Sequence, residues 1–114
     1  MLLFRLILIA MIINIIGYTA LTGLVHGWDL MPVFFGDIGK VNWPGQFNTD
    51  FLSMLLLSAG WTMWRNNFSL LGIGLGVLAL FGGIMFLAVY LLVLTYKTDG
   101  DMKRILLGPE RAGA

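Results

Sequence analysis

Asp50 is the side chain in this sequence whose type and position most strongly suggest chemistry. An ionisable group close to an apolar segment is costly to bury, and inside a membrane it is a functional candidate by default. With Asn48 or Asn14 as a neighbour, Asp50 could bind a proton, a cation or a basic partner. It also lies where a second helix is expected to begin, where its carboxylate could accept free backbone N–H groups instead. We favour this capping role and keep the buried, functional carboxylate as the alternative.

His26 and Asp29 form a possible acid–base pair, three residues apart at the end of the first apolar segment. That spacing could place a carboxylate beside an imidazole, as general acid–base catalysis requires. The chain has one His and no Cys, which removes thiolate nucleophiles, disulfides and thiolate zinc sites and makes a two-ligand haem a poor fit. We therefore favour a surface histidine. We expect no catalytic residue, no metal, no cofactor and no enzymatic activity.

The composition is that of a membrane protein. Of the 114 residues, 59% are hydrophobic and 11% are charged, and the mean hydropathy is +0.90. A soluble domain of this size could not bury so much apolar surface. The net charge of +1, without a basic stripe, argues against nucleic acid as a partner. We expect one all-α domain over residues 1–114, embedded in a lipid bilayer.

Three apolar segments, at about 3–25, 47–64 and 69–96, predict three transmembrane helices, because a helix needs roughly 20 apolar residues to cross hydrocarbon. The first segment imitates a signal peptide. Its apolar run is too long for one and the region 19–23 is a weak cleavage site, so we expect an uncleaved helix. The tight connection at 65–67 predicts that the second and third helices form an antiparallel hairpin.

Two further elements accompany the predicted spans. The segment 26–46 mixes Gly and Pro with Trp and Phe, which favours a loop whose aromatic rings lie in the headgroup zone. A role of these rings in holding a substrate is the alternative. After Lys97, the segment 98–109 predicts a short amphipathic helix that is capped by Asp99 or Asp101 and lies flat on the membrane.

Two features predict how the helices pack. Asn14 lies in mid-span, where its amide would be unsatisfied in lipid, so it should face another helix and hydrogen-bond to it. The third helix carries small residues one turn apart, which let two backbones approach closely. They are Gly72, Gly76, Ala79 and Gly83. The sequence leaves open whether this stripe packs on the first helix or on another subunit.

The placement of Lys and Arg predicts an orientation. With three spans, the N-terminal segment and the second connection share one side, and the first loop and the tail share the other. The first side carries two cations, Arg5 and Arg65, and the second carries five. The five are Lys40, Lys97, Lys103, Arg104 and Arg111. The positive-inside rule then predicts the N-terminus outside and the C-terminus in the cytoplasm, although Arg5 ahead of the first helix argues the other way.

A scattered pattern of residues runs from Asn42 to Gly108. It comprises the segment 42–51, Trp61, Trp64-Arg65, Gly82-Gly83, Tyr90, Asp101 and the segment 106–108. This pattern resembles that of small bacterial inner-membrane proteins in uncharacterised, domain-of-unknown-function families. The resemblance implies a three-span architecture and carries over no catalytic residues.

A second resemblance concerns size and helix number. The chain is similar in both to half-transporters of the SemiSWEET kind, three-helix chains that work as dimers. The proline–glutamine signature of that family is not matched, because Gly45 separates Pro44 from Gln46 and all three lie in the predicted loop. The resemblance implies transport by a homo-oligomer and is kept as an alternative.

Three functions from different classes remain open. The first is a non-enzymatic accessory or scaffold subunit that packs against helices of another membrane protein or of a second copy. The second is a homo-oligomeric transporter or channel for a small solute, of SemiSWEET-like size, with Asp50 and Asn14 lining a shared path. The third is an enzyme that acts on lipid through His26, Asp29 and Asp50, which lacks a nucleophile and metal ligands. We favour the first, as a multi-pass protein of a bacterial inner membrane.

Overall fold

The computed structural model describes residues 1–113, which form five α-helices joined by short turns. They are α1 (Leu2–His26), α2 (Leu30–Gly39), α3 (Trp43–Arg65), α4 (Leu70–Lys97) and α5 (Met102–Arg111). No strand occurs among the described residues. The all-helical fold predicted from the sequence is therefore confirmed.

Two of the helices, α1 and α4, are long and apolar enough to cross a membrane. Signal sequences and the core helices of soluble proteins meet the same criterion, but a core helix is mostly buried, whereas the apolar windows of α1 and α4 are 6% and 22% buried. The predicted span 47–64 lies within α3, which is not apolar enough because Asn48 and Asp50 lie in its first half. Length and composition thus support membrane insertion weakly, and for two helices rather than the predicted three.

The segment 26–46, predicted to be a loop, contains α2 and the start of α3. Asn42 is the N-cap of α3, because its Oδ1 accepts the backbone N–H of Gly45 at 2.8 Å, and Pro44 lies in the first turn. Asp50 lies about two turns farther inside α3. The capping role that we favoured for Asp50 is therefore wrong, because the helix begins earlier than its apolar run.

α4 is not straight, because the chain reverses direction at Gly83. This residue has φ 56° and ψ −137°, a conformation that glycine adopts and that strains other residues. Gly72 packs against Asn66, and the Tyr90 hydroxyl accepts a hydrogen bond from Nδ2 of the same Asn66 at 2.9 Å. In a straight helix, Gly72 and Tyr90 would lie about 27 Å apart. α4 is therefore a helical hairpin. Its halves are 70–82 and 84–97.

The reversal brings three parts of the chain to one end of the molecule. The second half of α4 contacts the start of α1, where Nη2 of Arg5 donates to the Thr95 carbonyl at 2.9 Å. α5 lies on the C-terminal end of α3, and the turn 66–69 lies beside it. α2 and the start of α3 form the opposite end. The N-terminus and the tail therefore lie at the same end of the molecule, whereas three spans with a straight third helix would separate them.

The core of this fold is thin. The buried apolar side chains are few, and several of them are small. They are Leu8, Leu55, Ala59, Ala79, Ala88, Leu94 and Ile105. Most large apolar side chains of α1 and of the first half of α4 are exposed, as are Leu24 at 78% and Leu70 at 89%. Such a surface is unfavourable in water and requires lipid or another protein around it.

Candidate functional site

Arg65, the last residue of α3, is 7% exposed and lies under α5. Its Nε donates to the carbonyl of Ile105 at 2.6 Å, and its Nη2 donates to the carbonyl of Arg104 at 3.1 Å. Within the described residues, no carboxylate forms an ion pair with it. A buried charge requires compensation, so these backbone carbonyls are what make its position tenable.

α5 is interrupted at Gly108, which has φ 84° and ψ 164°. Pro109 follows and has no N–H, so the carbonyl of Ile105 lacks its usual helical donor. The buried guanidinium takes the place of that donor, at the negative end of the short helix. Nε1 of Trp61 likewise donates to the carbonyl of Leu106 at 3.0 Å. Side chains of α3 therefore complete the backbone hydrogen bonds of α5.

Tyr90 connects the buried arginine to the second half of α4. Its hydroxyl accepts hydrogen bonds from Nδ2 of Asn66 at 2.9 Å and from Nη1 of Arg65 at 3.4 Å. Its ring contacts Trp61 edge-on, with centroids 6.0 Å apart, and stacks on Phe86 at 5.4 Å. We call Arg65, Asn66, Tyr90 and Trp61 the Arg65 cluster. This cluster joins α3, α4 and α5 by hydrogen bonds and aromatic contacts, an arrangement that fixes three helices relative to one another.

Further side-chain contacts stabilise the two ends of α5. Asp101 caps its N-terminus, because Oδ1 of Asp101 accepts a hydrogen bond from the backbone N–H of Lys103 at 3.1 Å. The cap predicted at Asp99 or Asp101 is therefore confirmed at Asp101. At the other end, Nη1 of Arg111 donates to the Trp64 carbonyl at 2.6 Å, and its guanidinium lies 4.1 Å from the centre of the Trp64 ring. α5 is thus docked on α3, and its own residue Ile105 is fully buried.

A second buried link joins the start of α1 to the end of α4. Nε of Arg5 donates to Oγ1 of Thr95 at 3.0 Å, and its guanidinium lies 4.0 Å from the centre of the Tyr96 ring. Thr95 is fully buried, whereas Tyr96 is 61% exposed. A cation between a buried hydroxyl and an exposed aromatic ring is typical of the boundary between an apolar region and a polar one.

The structure does not bring the predicted polar residues together. Asp50 and Asn14 are both exposed, on α3 and α1, two helices that do not touch each other. Nδ2 of Asn48 donates to the Phe34 carbonyl at 3.0 Å, so Asn48 joins α2 to α3. The expectation that Asn14 bonds to another helix of the chain is not met within residues 1–113. A shared cavity between Asp50 and Asn14 is absent from the described single chain.

The predicted acid–base pair is likewise not assembled. His26 ends α1 and is exposed, and Asp29 is the N-cap residue of α2 without a side-chain hydrogen bond to that helix. No group of three or more His, Asp or Glu side chains within residues 1–113 could hold a metal ion. The pair therefore offers no geometry for catalysis in the described part of the chain.

The small-residue stripe lies on the face of α4 that contacts α3. Gly72, Gly76, Ala79 and Gly83 are all buried there. A Cβ on Gly76 would clash with the Met63 side chain, and a Cβ on Gly83 would lie 2.9 Å from Cζ of Phe51. Within the described chain the stripe therefore packs on α3, which is neither the first helix nor another subunit, the two alternatives that the sequence left open.

A cleft of about 330 Å³ opens beside the reversal of α4. Its lining side chains are all apolar and come from α2, α3 and the end of the first half of α4. The lining residues are Leu30, Met31, Phe34, Phe35, Phe51, Leu52, Leu55, Leu56, Leu80 and Phe81. Such a lining can hold an apolar group, and it presents no side chain that could transfer a proton or act as a nucleophile.

Sequence reasoning missed the Arg65 cluster. Arg65 was counted as a cation in a connection, and Arg65 and Tyr90 both appeared in the pattern from Asn42 to Gly108, but no contact between them was predicted. One signal was available, because Gly108-Pro109 predicts a helix end with free carbonyls that require donors. The identity of those donors could not be read from the sequence, since Arg65 and Ile105 are 40 residues apart.

The chain matches no protein-family model, no curated protein and no solved structure. Its function has to be inferred from its own side chains and their contacts. The Arg65 cluster and the exposed face of α1 are the most informative of these.

Proposed function

We propose that this chain is a multi-pass protein of a bacterial inner membrane that serves as a non-enzymatic accessory or scaffold subunit, with α1 as its partner-binding helix. The exposed apolar surface of α1 and α4 supports the membrane location, because it requires lipid or protein around it. The contacts of α1 support the binding role, since among the described helices it touches only α4.

One exposed face of α1 has the spacing of a helix-packing seam. Its residues follow one another at alternating intervals of four and three, as the a and d positions of a coiled coil do. They are Ile7, Met11, Asn14, Tyr18, Leu21 and Val25, and all are exposed. We call this set the Asn14 face. A partner helix with the same periodicity could pack along its full length.

Asn14 at the centre of this face is the observation on which the proposal depends. Its amide lies in the middle of a 25-residue apolar helix and is exposed. In hydrocarbon, an amide without a hydrogen-bond partner raises the free energy by on the order of several kcal/mol, as other unpaired polar groups do. A polar side chain of a second helix would remove that cost, and Asn is known to drive such association in membranes.

The test compares three forms of the full-length chain in native lipid. The membrane location is checked first, as retention in the membrane fraction after alkaline carbonate extraction. Complexes are then extracted with their lipid and their masses measured for the unchanged chain, Asn14→Leu and the matched control Asn14→Gln. We expect Asn14→Leu to weaken association about threefold to thirtyfold, the equivalent of one interhelical hydrogen bond. The control keeps the amide and should keep the complex.

The masses also identify the occupant of the Asn14 face. A complex with one other membrane protein at fixed stoichiometry supports the accessory role, and a dimer of this chain supports a self-associating scaffold. A chain that is monomeric at every concentration and has no stoichiometric partner would refute the proposal. So would a complex that is equally stable with Asn14→Leu.

The transporter alternative depends on the same face. It requires a homodimer in which Asn14 and Asp50 of different copies line one path, because within one chain their helices do not touch. The exposure of both residues is compatible with that arrangement. A dimer whose solute flux is lost with Asp50→Asn would favour transport, and flux that survives this change would exclude a role for the carboxylate.

A further inference from the structure

The charges of the chain are divided unequally between the two ends of the molecule. The end formed by the start of α1, the turn 66–69 and α5 carries six of the seven Lys and Arg residues and three of the six acidic ones, for a net charge of +3. We call it the basic end. Its cations are Arg5, Lys97, Lys103, Arg104 and Arg111, together with the buried Arg65. The opposite end has Lys40 and three acidic residues, for a net charge of −2.

This division exists because α4 reverses at Gly83. A straight α4 would carry Lys97 and the cations of α5 away from Arg5 and Arg65. The hairpin returns them, so the chain has six cations at one end and one at the other. The single cation at the opposite end, Lys40, lies 4.0 Å from Asp37.

Aromatic rings accompany the cations at the basic end. The guanidinium of Arg5 lies over Tyr96 and that of Arg111 lies over Trp64, each about 4 Å from the ring centre. Tyr and Trp are enriched at the membrane–water boundary, where an apolar ring with a polar edge is favoured. Clusters of Lys and Arg beside membrane helices are typical of sites that bind anionic lipid headgroups.

The helix lengths fit a bilayer only if α4 enters and returns on one side. With 25 residues, α1 is about 37 Å long, enough for the roughly 30 Å of hydrocarbon. Each half of α4 is only about 20 Å long. The backbone at the reversal is not helical, which is tolerated inside a membrane only where protein covers it. Gly83 meets this condition, since it is buried against Phe51 and Leu55.

We infer that the basic end binds the anionic lipid headgroups of the cytoplasmic leaflet, so that the N-terminus, the turn 66–69 and α5 all face the cytoplasm. α1 crosses outward, α2 lies at the far surface, and α3 returns, because its 23 residues are about 34 Å long, although its composition alone does not mark it as a span. α4 is marked as a span over its full length, but each of its halves is too short to cross, so it is a re-entrant hairpin. This inference rests on the membrane location in the proposed function. It replaces three spans by two crossings and a hairpin, and it is independent of what binds the Asn14 face.

The absence of cysteine from the sequence allows a direct test of this topology. Single cysteines are introduced at Leu70→Cys and Ala112→Cys for the basic end, and at His26→Cys and Gln46→Cys for the opposite end. Spheroplasts of a bacterial expression host are treated with a membrane-impermeant maleimide before and after permeabilisation. We expect His26→Cys and Gln46→Cys to be labelled in intact spheroplasts, and Leu70→Cys and Ala112→Cys only after permeabilisation.

Each other outcome overturns a definite part of the inference. Labelling of Leu70→Cys and Ala112→Cys on opposite sides would mean that α4 crosses the whole bilayer. Labelling of Leu70→Cys and Ala112→Cys in intact spheroplasts would mean that the basic end faces the outer leaflet rather than the cytoplasmic one. A chain released by carbonate extraction refutes the membrane location itself, which separates failure of the proposed function from failure of the topology.

A second measurement tests the headgroups themselves. The full chain is placed in nanodiscs of equal phosphatidylglycerol and phosphatidylcholine, and the lipids that remain bound are counted by native mass spectrometry. We expect phosphatidylglycerol to be retained preferentially, and the preference to fall with Lys97→Gln combined with Lys103→Gln, two exposed cations of the basic end. The control Lys40→Gln at the opposite end should leave the preference unchanged. Equal retention of both lipids by the unchanged chain would overturn the lipid assignment.

Discussion

Replacing Arg65 by Met should release α5 from the end of α3 while leaving the rest of the fold in place. The side chain is 7% exposed, and its guanidinium donates to the carbonyls of Ile105 and Arg104. Methionine replaces the aliphatic part of the side chain and has no hydrogen-bond donor. The substitution therefore removes the donor of the buried Ile105 carbonyl and a donor of the part-buried Arg104 carbonyl.

The magnitude follows from those two bonds. A hydrogen bond to a charged group contributes about 1.5–3 kcal/mol, and burial keeps solvent from replacing it. Two such bonds give at least about 3 kcal/mol for the docking of α5 on α3. At 1.4 kcal/mol per factor of ten, this corresponds to an increase of about a hundredfold in the population of undocked α5.

Hydrogen–deuterium exchange of the full chain in detergent micelles measures this population. Backbone amides of α5 in the Arg65→Met variant should exchange about a hundredfold faster than in the unchanged chain, while those in the middle of α3 keep their rates. The matched control is Arg104→Met. That side chain is 48% exposed and makes one ion pair with Asp101 at 3.6 Å, so its loss should change exchange less than about fivefold.

The reasoning fails if α5 exchanges in Arg65→Met no faster than in Arg104→Met. That result would mean that water or another side chain satisfies the carbonyls of Ile105 and Arg104. Equally faster amide exchange throughout the chain would also contradict the reasoning. The Arg65 cluster would then stabilise the whole fold rather than only the docking of α5.

Two further substitutions test the hairpin and the attachment of α1. Gly83→Ala should destabilise the fold by about 1–3 kcal/mol, because φ is 56° there and the new Cβ would lie 2.9 Å from Phe51. Thermal unfolding in detergent measures this loss of stability. The control is Gly74→Ala, because Gly74 is helical and has open space around it. Arg5→Met should raise amide exchange in the first two turns of α1 about tenfold or more, because two hydrogen bonds to Thr95 are lost.

The control variants make these two predictions decisive. Alanine is the better helix former, so Gly74→Ala should be neutral or stabilising. Equal unfolding temperatures for Gly83→Ala and Gly74→Ala would contradict a reversal at Gly83. Unchanged exchange at the start of α1 in Arg5→Met would show that apolar contacts such as those of Leu8 hold this helix without Arg5.

Local signals in the sequence were sufficient for several elements. The long apolar runs predicted α1 and α4, and the short connection at 65–67 predicted the antiparallel packing of α3 with the first half of α4. Asp101 was recognised as a cap because a cap and its helix are adjacent in the chain. The start of α3 was misplaced because the apolar run, rather than the cap at Asn42, was used to locate it.

The sequence by itself therefore determined helix content, the apolar character of the surface and the small-residue stripe, because each depends on residues within a turn or two of one another. Only the tertiary structure decided that Gly83 reverses α4, since a glycine pair in an apolar run fits a straight helix equally well. That single choice of backbone conformation brings Arg5 to Thr95 and Arg65 to Ile105, contacts across 90 and 40 residues. It also places six cations at one end, because the position of a charge in space depends on every change of chain direction that precedes it.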